Sequence, residues 1–316
     1  MAALASVAAL AMSACAQRDG GGAAAEPAAD FPSKDFTLVV HAAAGGGSDL
    51  TARTLAKEME ADLGKSIVVE NRTGGGGRVG LTYLKGRPAD GYSIGFIPVE
   101  VAMLGHQGTD IKPDQFTILA QVMNAPATIS VPKDSPFKTL EDLIAAAKAK
   151  PGTVTVSNSG AGAIWEAATL ALGETAGVEF KPVPYEGGAP AVAAGVAGEV
   201  QAVMAGVSES SAAAKDGRLR ILGVLAPERV ASLPDTPTGK ELGYDLVIGG
   251  WGLMGAPAGL PDDVKKKLAD AVNKAASSET FKAVMAKAGN TPMATSPEEA
   301  TTFAGSEFDR FGQILK

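Results

Sequence analysis

The chain repeats one grammar: a short apolar run, a glycine-rich break, then a stretch with its apolar residues on one helical face. Residues 36–41 (FTLVVH) form an unbroken apolar, β-branched run, the pattern of a strand buried on both faces. A glycine loop follows at 44–47, and Ser48 is placed to cap a helix. Ala52, Leu55, Ala56, Met59 and Leu63 then recur at helical spacing until Gly64 stops them. A second strand is expected at 66–70, running into Asn71-Arg72-Thr73 and four consecutive glycines, and a third at 93–99. Strand, loop, helix, strand, loop, helix, strand is the order of a parallel sheet with helices on its faces.

The grammar then returns. Residues 128–131 read as a strand ended by Pro132. Thr139 and Asp142 match a capping box, opening a helix that Pro151-Gly152 closes. A strand at 154–157 meets a glycine loop at 158–162 and a helix near 165–172. Residues 185–188 read as a turn, and 199–205 and 219–226 as further strands. From Trp251 the pattern gives a strand at 251–255, a Pro-Gly loop, and a helix carrying Val264, Leu268, Ala271, Val272 and Ala275 on one face. Ser296-Pro297-Glu298-Glu299 matches a capping box with Pro at the first helical position, opening a terminal helix. There is no short-period repeat.

Composition narrows the class. The chain has 316 residues, 46% hydrophobic and 20% charged, which suits one large folded domain or two ordinary ones. A net charge of −7 with no basic cluster argues against a nucleic-acid partner. The single cysteine, Cys15, allows no internal disulfide. Its place is informative. Residues 1–14 form an apolar run of secretory-signal length, too short to span a membrane, although no Lys or Arg precedes it. Met12-Ser13-Ala14-Cys15 resembles a bacterial lipobox, in which Cys15 is lipidated and becomes the new N-terminus. Residues 1–15 are thus expected to be a lipoprotein signal peptide, and 16–33, rich in Gly and Ala, a flexible linker. The folded part is expected to be exported and lipid-anchored on the outer face of the cytoplasmic membrane, or periplasmic.

Three glycine loops follow expected strand ends: Gly45-Gly46-Gly47, the run Gly74 to Gly77, and Gly160-Ala161-Gly162. Ligands of open α/β sheets sit at the carboxyl ends of strands. Glycine lets bare backbone approach a ligand, and helix N-termini offer free N–H groups at a positive dipole end. Any one such loop is equally well a tight turn. Three at equivalent places in two units point to an anion-accepting cleft that needs no Arg.

These loops carry a family resemblance. The segment from Val39 through Gly45-Gly46-Gly47-Ser48-Asp49 to Ala52-Arg53 resembles the first signature of the tripartite tricarboxylate transporter receptors, also called the Bug family. Val68-Val69-Glu70-Asn71-Arg72, the glycine run, Gly80 and then Asp90-Gly91-Tyr92 are similar to the second. Val183-Pro184-Tyr185-Glu186-Gly187-Gly188-Ala189-Pro190-Ala191, Gly198-Glu199-Val200 and Gly217-Arg218-Leu219-Arg220 resemble its second-domain motifs. So do Leu233-Pro234-Asp235-Thr236-Pro237-Thr238 and Trp251-Gly252-Leu253 with Ala256-Pro257. Each motif is weak alone; their order is specific, and it runs from about Asp35 to the C-terminus.

The resemblance implies an α/β, type II periplasmic-binding-protein fold with two lobes and a ligand cleft. It sets lobe 1 at 34–127 plus 251–316 and lobe 2 at 128–250, with crossings near 125–128 and 250–251. It also implies a receptor that captures a tricarboxylate, dicarboxylate or related organic acid and delivers it to membrane subunits of a secondary transporter. No catalysis, cofactor or metal is implied, the chain is expected to be a monomer, and it would touch the membrane only through its lipid. Carried over, lobe 1 would bind ligand through Ala44, Gly45, Gly46, Gly47, Ser48 and Asp49, and through Thr73, Gly75, Gly76 and Arg78. Lobe 2 would add Asn158, Ser159, Gly160, Gly162 and Ala163, with Tyr185, Gly187 and Gly188. The sequence departs from the family at His41 and Ala42, where Pro and an aromatic residue are common. It departs again at Ala163, at Glu166 and at Met204-Ala205-Gly206, which bears on which solute is bound.

Single residues carry two readings. Arg78 fits a charge-assisted bond to a ligand carboxylate or a solvated loop residue. Asp49 fits a water-orienting role or a bond to its own loop. His41 reads first as a core histidine at a strand end, Trp165 as a packing residue, and Trp251 as a hinge or cleft-floor residue. The rival function is a dinucleotide-binding oxidoreductase: Gly75, Gly77 and Gly80 fit G-x-G-x-x-G, and Glu100 stands where an acid could grip a ribose. Against it, Asn71-Arg72-Thr73 separate strand from glycines. A hydrolase is weaker still, for the two histidines, His41 and His106, accompany no G-x-S-x-G elbow. Neither a metal-ligand cluster nor a P-loop motif occurs.

Overall fold

A computed structural model describes residues 31–315; the expected leader, Cys15 and most of the linker lie outside the described residues. The opening follows the hydrophobic pattern. Strand β1 (Phe36–Val40) leads through the first glycine loop to helix α1 (Gly47–Leu63), then to β2 (Ile67–Asn71), α2 (Arg78–Lys85) and β3 (Ser93–Pro98). β1 pairs in parallel with β2 on one side and β3 on the other. Helix α1 buries Ala52, Leu55, Ala56, Met59 and Leu63, and Gly64 ends it at φ 64°, a left-handed conformation that glycine adopts freely. Its N-cap is Gly46, without a side-chain bond, so Ser48 lies inside the first turn and is not the cap expected of it.

After three short 3-10 turns the chain enters β4 (Phe116–Pro132), a 17-residue strand of which the sequence pattern marked only the end. The second unit holds α3 (Leu140–Ala149), β5 (Thr155–Asn158), α4 (Ile164–Ala176), β6 (Lys181–Pro184), α5 (Gly188–Val196), β7 (Ala202–Gly206), α6 (Val207–Lys215) and β8 (Leu219–Leu225). The chain finishes with β9 (Gly249–Pro257), α7 (Asp262–Ala276), α8 (Glu279–Ala288), β10 (Thr291–Pro292) and α9 (Pro297–Ile314). Both capping boxes form: Thr139 accepts from the Asp142 amide and Ser296 from that of Glu299, with each acid bonding back.

One curled sheet runs through both lobes in the order β2-β1-β3-β9-β4-β7-β5-β6, with β8 and β10 also on β4. It is mixed, where the strand–helix alternation suggested a parallel sheet. β9 lies antiparallel to both β3 and β4, which a returning C-terminal segment requires. β4 serves the two halves in turn. Phe116 to Pro126 pair with β9, and Ala127 to Pro132 pair with β7 and β8. The architecture is two α/β lobes joined through β4 and β9, as the expected two-lobed fold requires. Under the first half-sheet lies a core of Phe36, Leu38, Leu55, Met59, Leu268 and Phe281. Each such side chain stabilises by roughly 1.5–3 kcal/mol when fully buried. A larger cluster, including Ile129, Leu143, Val156, Leu172 and Leu253, carries the apolar interior across β4 into the second lobe. Among the described residues no helix is long and apolar enough to cross a membrane.

Candidate ligand cleft

The carboxyl ends of β1, β2 and β5 open onto one cavity of about 280 Å³ between the lobes. The first lobe lines it with Gly46, Gly47 and Ser48 from the loop after β1, and with Gly74 to Gly77 after β2. The second lobe brings Ser159, Gly160 and Ala163 after β5, and Tyr185, Gly187 and Gly188 after β6. The remaining expected residues, Ala44, Gly45, Asp49, Thr73, Arg78, Asn158 and Gly162, do not line the cavity.

The glycines are there for backbone reasons. Gly74, Gly75, Gly76 and Gly77 have φ of 120°, 60°, 58° and 92°, a run of left-handed conformations that L side chains rarely adopt. The loop also passes close to the opposite lobe: a Cβ on Gly76 would sit 2.9 Å from the Ala161 carbonyl oxygen. Among the described residues the N–H groups of Gly75, Gly76 and Gly77 donate to no protein acceptor, and Gly77 caps the N-terminus of α2. The loop therefore offers anion-accepting donors at the positive end of a helix.

Several expected residues hold the loops from behind. Asp49 is buried and accepts from the Gly45 amide (2.9 Å), from Arg53 Nε (2.9 and 3.0 Å) and from Asn71 Nδ2 (2.9 Å). Burial works to raise its pKa, but the bonds from Arg53, Gly45 and Asn71 and the Arg53 charge outweigh it and hold the carboxyl below its ordinary value. Asp49 thus ties the first loop to β2. Asn158 does the same across the cleft, accepting from the Gly160 amide at 3.0 Å. The Gly162 amide donates to Glu166 at 2.7 Å. Arg78 is exposed at the start of α2.

Of the cavity acids, the sequence marked only Glu100 as ligand-facing, and only under the dinucleotide alternative. Glu209, in the first turn of α6 in lobe 2, accepts from the Gly47 amide of lobe 1 at 3.1 Å. Glu100, in the 3-10 turn after β3 in lobe 1, accepts from the Ile164 amide of lobe 2 at 3.1 Å. Each glutamate caps a helix of the opposite lobe, α1 in one case and α4 in the other. Gln107 Nε2 adds a third bond between lobes, to the Gly162 carbonyl at 2.9 Å. Only three-dimensional packing brings these pairs together, so no local motif could mark them.

Burial raises the Glu100 carboxyl to about 7, against smaller lowering by the bonds from Ile164 and its own backbone. His41 lies with Nε2 3.9 Å from Glu100 and its ring stacked on Phe96. Burial lowers it to about 4, so the ring is neutral near pH 7, and its Nδ1 has no partner. His41 lines the cavity and is not the satisfied core residue expected. Trp165 and Trp251 line it too. Trp251 anchors its indole to Glu307 of α9 at 2.8 Å and belongs to the cavity wall.

The dinucleotide alternative finds no support in this geometry. Gly80 lies inside α2, where a Cβ would meet the Arg72 carbonyl oxygen and His41 Cα at 2.9 Å, and the carboxyl of Glu100 is taken up by Ile164. Among the described residues no cluster of His, Cys, Asp and Glu could hold a metal ion.

Comparison with known proteins identifies the family. Residues 51–316 match the model of the tripartite tricarboxylate transporter family receptor. The chain is 31% identical over 290 residues to a Cupriavidus necator protein encoded in the gbd 5′ region, covering 90% of this chain and 88% of that one. It is similar to the solved structure of the periplasmic binding protein BugD, with a TM-score of 0.85 and 28% identity over 90% of this chain and 97% of BugD. It is also similar to MatC of Rhodopseudomonas palustris with bound malate, with a TM-score of 0.83 and 26% identity over 90% of this chain and all (100%) of MatC. With the family signature matched along most of its length, the chain belongs to the tripartite tricarboxylate transporter receptors, periplasmic solute-binding proteins and not enzymes.

Proposed function

We propose that this receptor captures a small carboxylated metabolite between its lobes and delivers it to the membrane subunits of a tripartite tricarboxylate-type transporter. The observation that carries the reading is the cavity itself, where glycine loops of both lobes meet and Gly75, Gly76 and Gly77, whose amides donate to no protein acceptor among the described residues, form part of the wall. In this reading the carboxylate lies at the N-terminus of α2, with Ser159, Gly160 and Gly188 opposite. Asp49, Asn158 and Gly162 are positioning residues, and Arg78 acts from the rim. The lobes turn on two segments, 125–128 and 250–251, close to where β4 exchanges partners. Ligand contacts to both lobes favour the closed form, and the membrane subunits read that form. Export through the leader and lipidation of Cys15 place the receptor on the outer face of the cytoplasmic membrane. The malate bound in a structural neighbour supports a carboxylate as the class.

The test is a thermal-shift screen of the folded protein against organic acids, amino acids and nicotinamide dinucleotides. A ligand that binds only the folded state raises Tm by mass action. A rise with one carboxylate class, lost in Gly76→Val, is expected. A rise with dinucleotides alone contradicts the reading.

A further inference from the structure

We infer that the receptor latches itself: Glu209 of lobe 2 and Glu100 of lobe 1 reach across the cleft in opposite directions, each capping a helix of the other lobe, and together hold part of the population closed before any solute arrives. The inference rests on the two-lobed receptor reading above but not on the class of solute. It starts from helices that lack caps of their own. The first amides of a helix have no partner within it. Helices α3, α8 and α9 meet this need locally, through Thr139, Ser278 and Ser296. Helix α1 begins after Gly46 and α4 after Ala163, and neither of these residues supplies a side-chain acceptor.

The missing acceptors come from the opposite lobe. Glu209 accepts from the Gly47 amide of α1 at 3.1 Å, and Glu100 from the Ile164 amide of α4 at 3.1 Å. A carboxyl oxygen suits a helix start twice over, as acceptor for a free amide and as partner for the positive end of the dipole. Gln107 of lobe 1 adds a bond from Nε2 to the Gly162 carbonyl at 2.9 Å, just ahead of Ile164 in lobe 2. All three bonds run from protein atom to protein atom, so a solute is not needed to complete any of them.

Both glutamates are seated by the fold. Ser208 Oγ donates to Glu209 Oε2 at 3.2 Å, and the carboxyl group lies where the starts of α1, α5 and α6 converge. A Cβ on Gly47 would lie 3.3 Å from its Oε1, one on Gly188 2.7 Å from the same atom, and one on Gly206 2.4 Å from its Oε2. Ser208 presses on the same place, for a Cβ on Gly47 would lie 2.5 Å from its Oγ. Glu100 is 3% exposed. Both acids line the cavity between the lobes, so opening the cleft breaks both caps at once. That coupling separates a latch from two local caps: loss of one must weaken protection at the other.

Residue-resolved amide hydrogen exchange and small-angle scattering on the ligand-free protein test this. Glu209→Ala should give a larger radius of gyration than wild type. It should speed exchange of the Gly47 amide, which loses its acceptor, and also of the Ile164 amide, whose acceptor Glu100 is untouched. Each should rise roughly fivefold, the effect of one helix cap. The amides of β1 should stay as protected as in wild type, which sets opening of the cleft apart from unfolding. Gln107→Ala, at an exposed position, should speed Gly47 and Ile164 in the same direction and decides the matter if Glu209→Ala fails to fold. Acceleration at Gly47 alone, with the radius of gyration unchanged, makes Glu209 a local cap and overturns the inference. Unchanged exchange at both amides in Gln107→Ala, where that variant decides, overturns it as well. Neither result touches the receptor reading, which fails instead if the thermal-shift screen is silent to every organic acid.

Discussion

Replacing Gly76 by Ala separates the cost of a strained loop from the cost of blocking closure. Gly76 has φ 58°, and its Cβ would lie 2.9 Å from the Ala161 carbonyl oxygen and 3.3 Å from the Ala163 nitrogen, both in the opposite lobe. The strain of a left-handed alanine, about 1–2 kcal/mol, acts in every arrangement of the lobes. The clash acts only when the lobes meet. Overpacking of this kind costs roughly 1–3 kcal/mol, a weakening of ligand binding by about 5- to 150-fold. Gly64→Ala is the control, since Gly64 has φ 64° and a Cβ there would meet nothing within 4 Å. Both variants should lose similar stability in urea. Only Gly76→Ala should lose affinity by calorimetry and show reduced compaction by small-angle scattering with saturating ligand. If Gly76→Ala binds within twofold of Gly64→Ala, the lobes do not close through this contact and the reasoning fails.

Other outcomes follow from single interactions. Asp49→Ala strands the Gly45 amide, Arg53 and Asn71 and should cost about 2–3 kcal/mol in urea unfolding, at the scale of bonds to a charged group. Its folded pKa lies below the ordinary 3.8, so its stabilisation is present above that pH and lost as pH falls through the folded value; Asp49→Asn should flatten that acid limb. Glu100 runs the other way. Its carboxyl titrates near 7 folded against 4.5 ordinarily, so stability falls as pH rises through that window. Glu100→Gln should therefore gain on wild type between pH 5 and 8 by up to about 3 kcal/mol, and an unchanged difference would contradict a buried, raised carboxyl. Ser296→Ala, which removes the cap of α9, should cost about 1 kcal/mol and lower Tm without altering affinity.

What was legible in the sequence was local. Gly64 at the end of α1, the capping boxes of Thr139 and Ser296, and the strand-end glycine loops all announce themselves through conformational needs met within a few residues. The first eleven residues of β4 did not, because Asn124 and Pro126 break the run. Pro126 is tolerated where the strand changes partners from β9 to β7 and β8. The antiparallel return of β9 is invisible to periodicity, which reports a strand but not its direction. The same limit applied at the site. The glycine positions could be marked in advance, but Glu209 sits in an unremarkable helix start and meets Gly47 only after two lobes have folded. Glu100 was noticed for its distance from Gly80, a spacing with a different meaning once α2 occupies the space between. His41 was read as a core residue because a strand end says nothing about the void beyond it.

The central claim, that solute is held between the lobes, can be read from intrinsic fluorescence. The chain has two tryptophans, Trp165 and Trp251, and both line the cavity, one in the α4 helix of lobe 2 and one on β9. Titration of the compound found by calorimetry should change tryptophan emission saturably, at the calorimetric affinity, and Trp165→Phe and Trp251→Phe should each remove part of the change. Tight binding by calorimetry with emission unaltered in the wild-type protein would place the solute elsewhere and contradict the account.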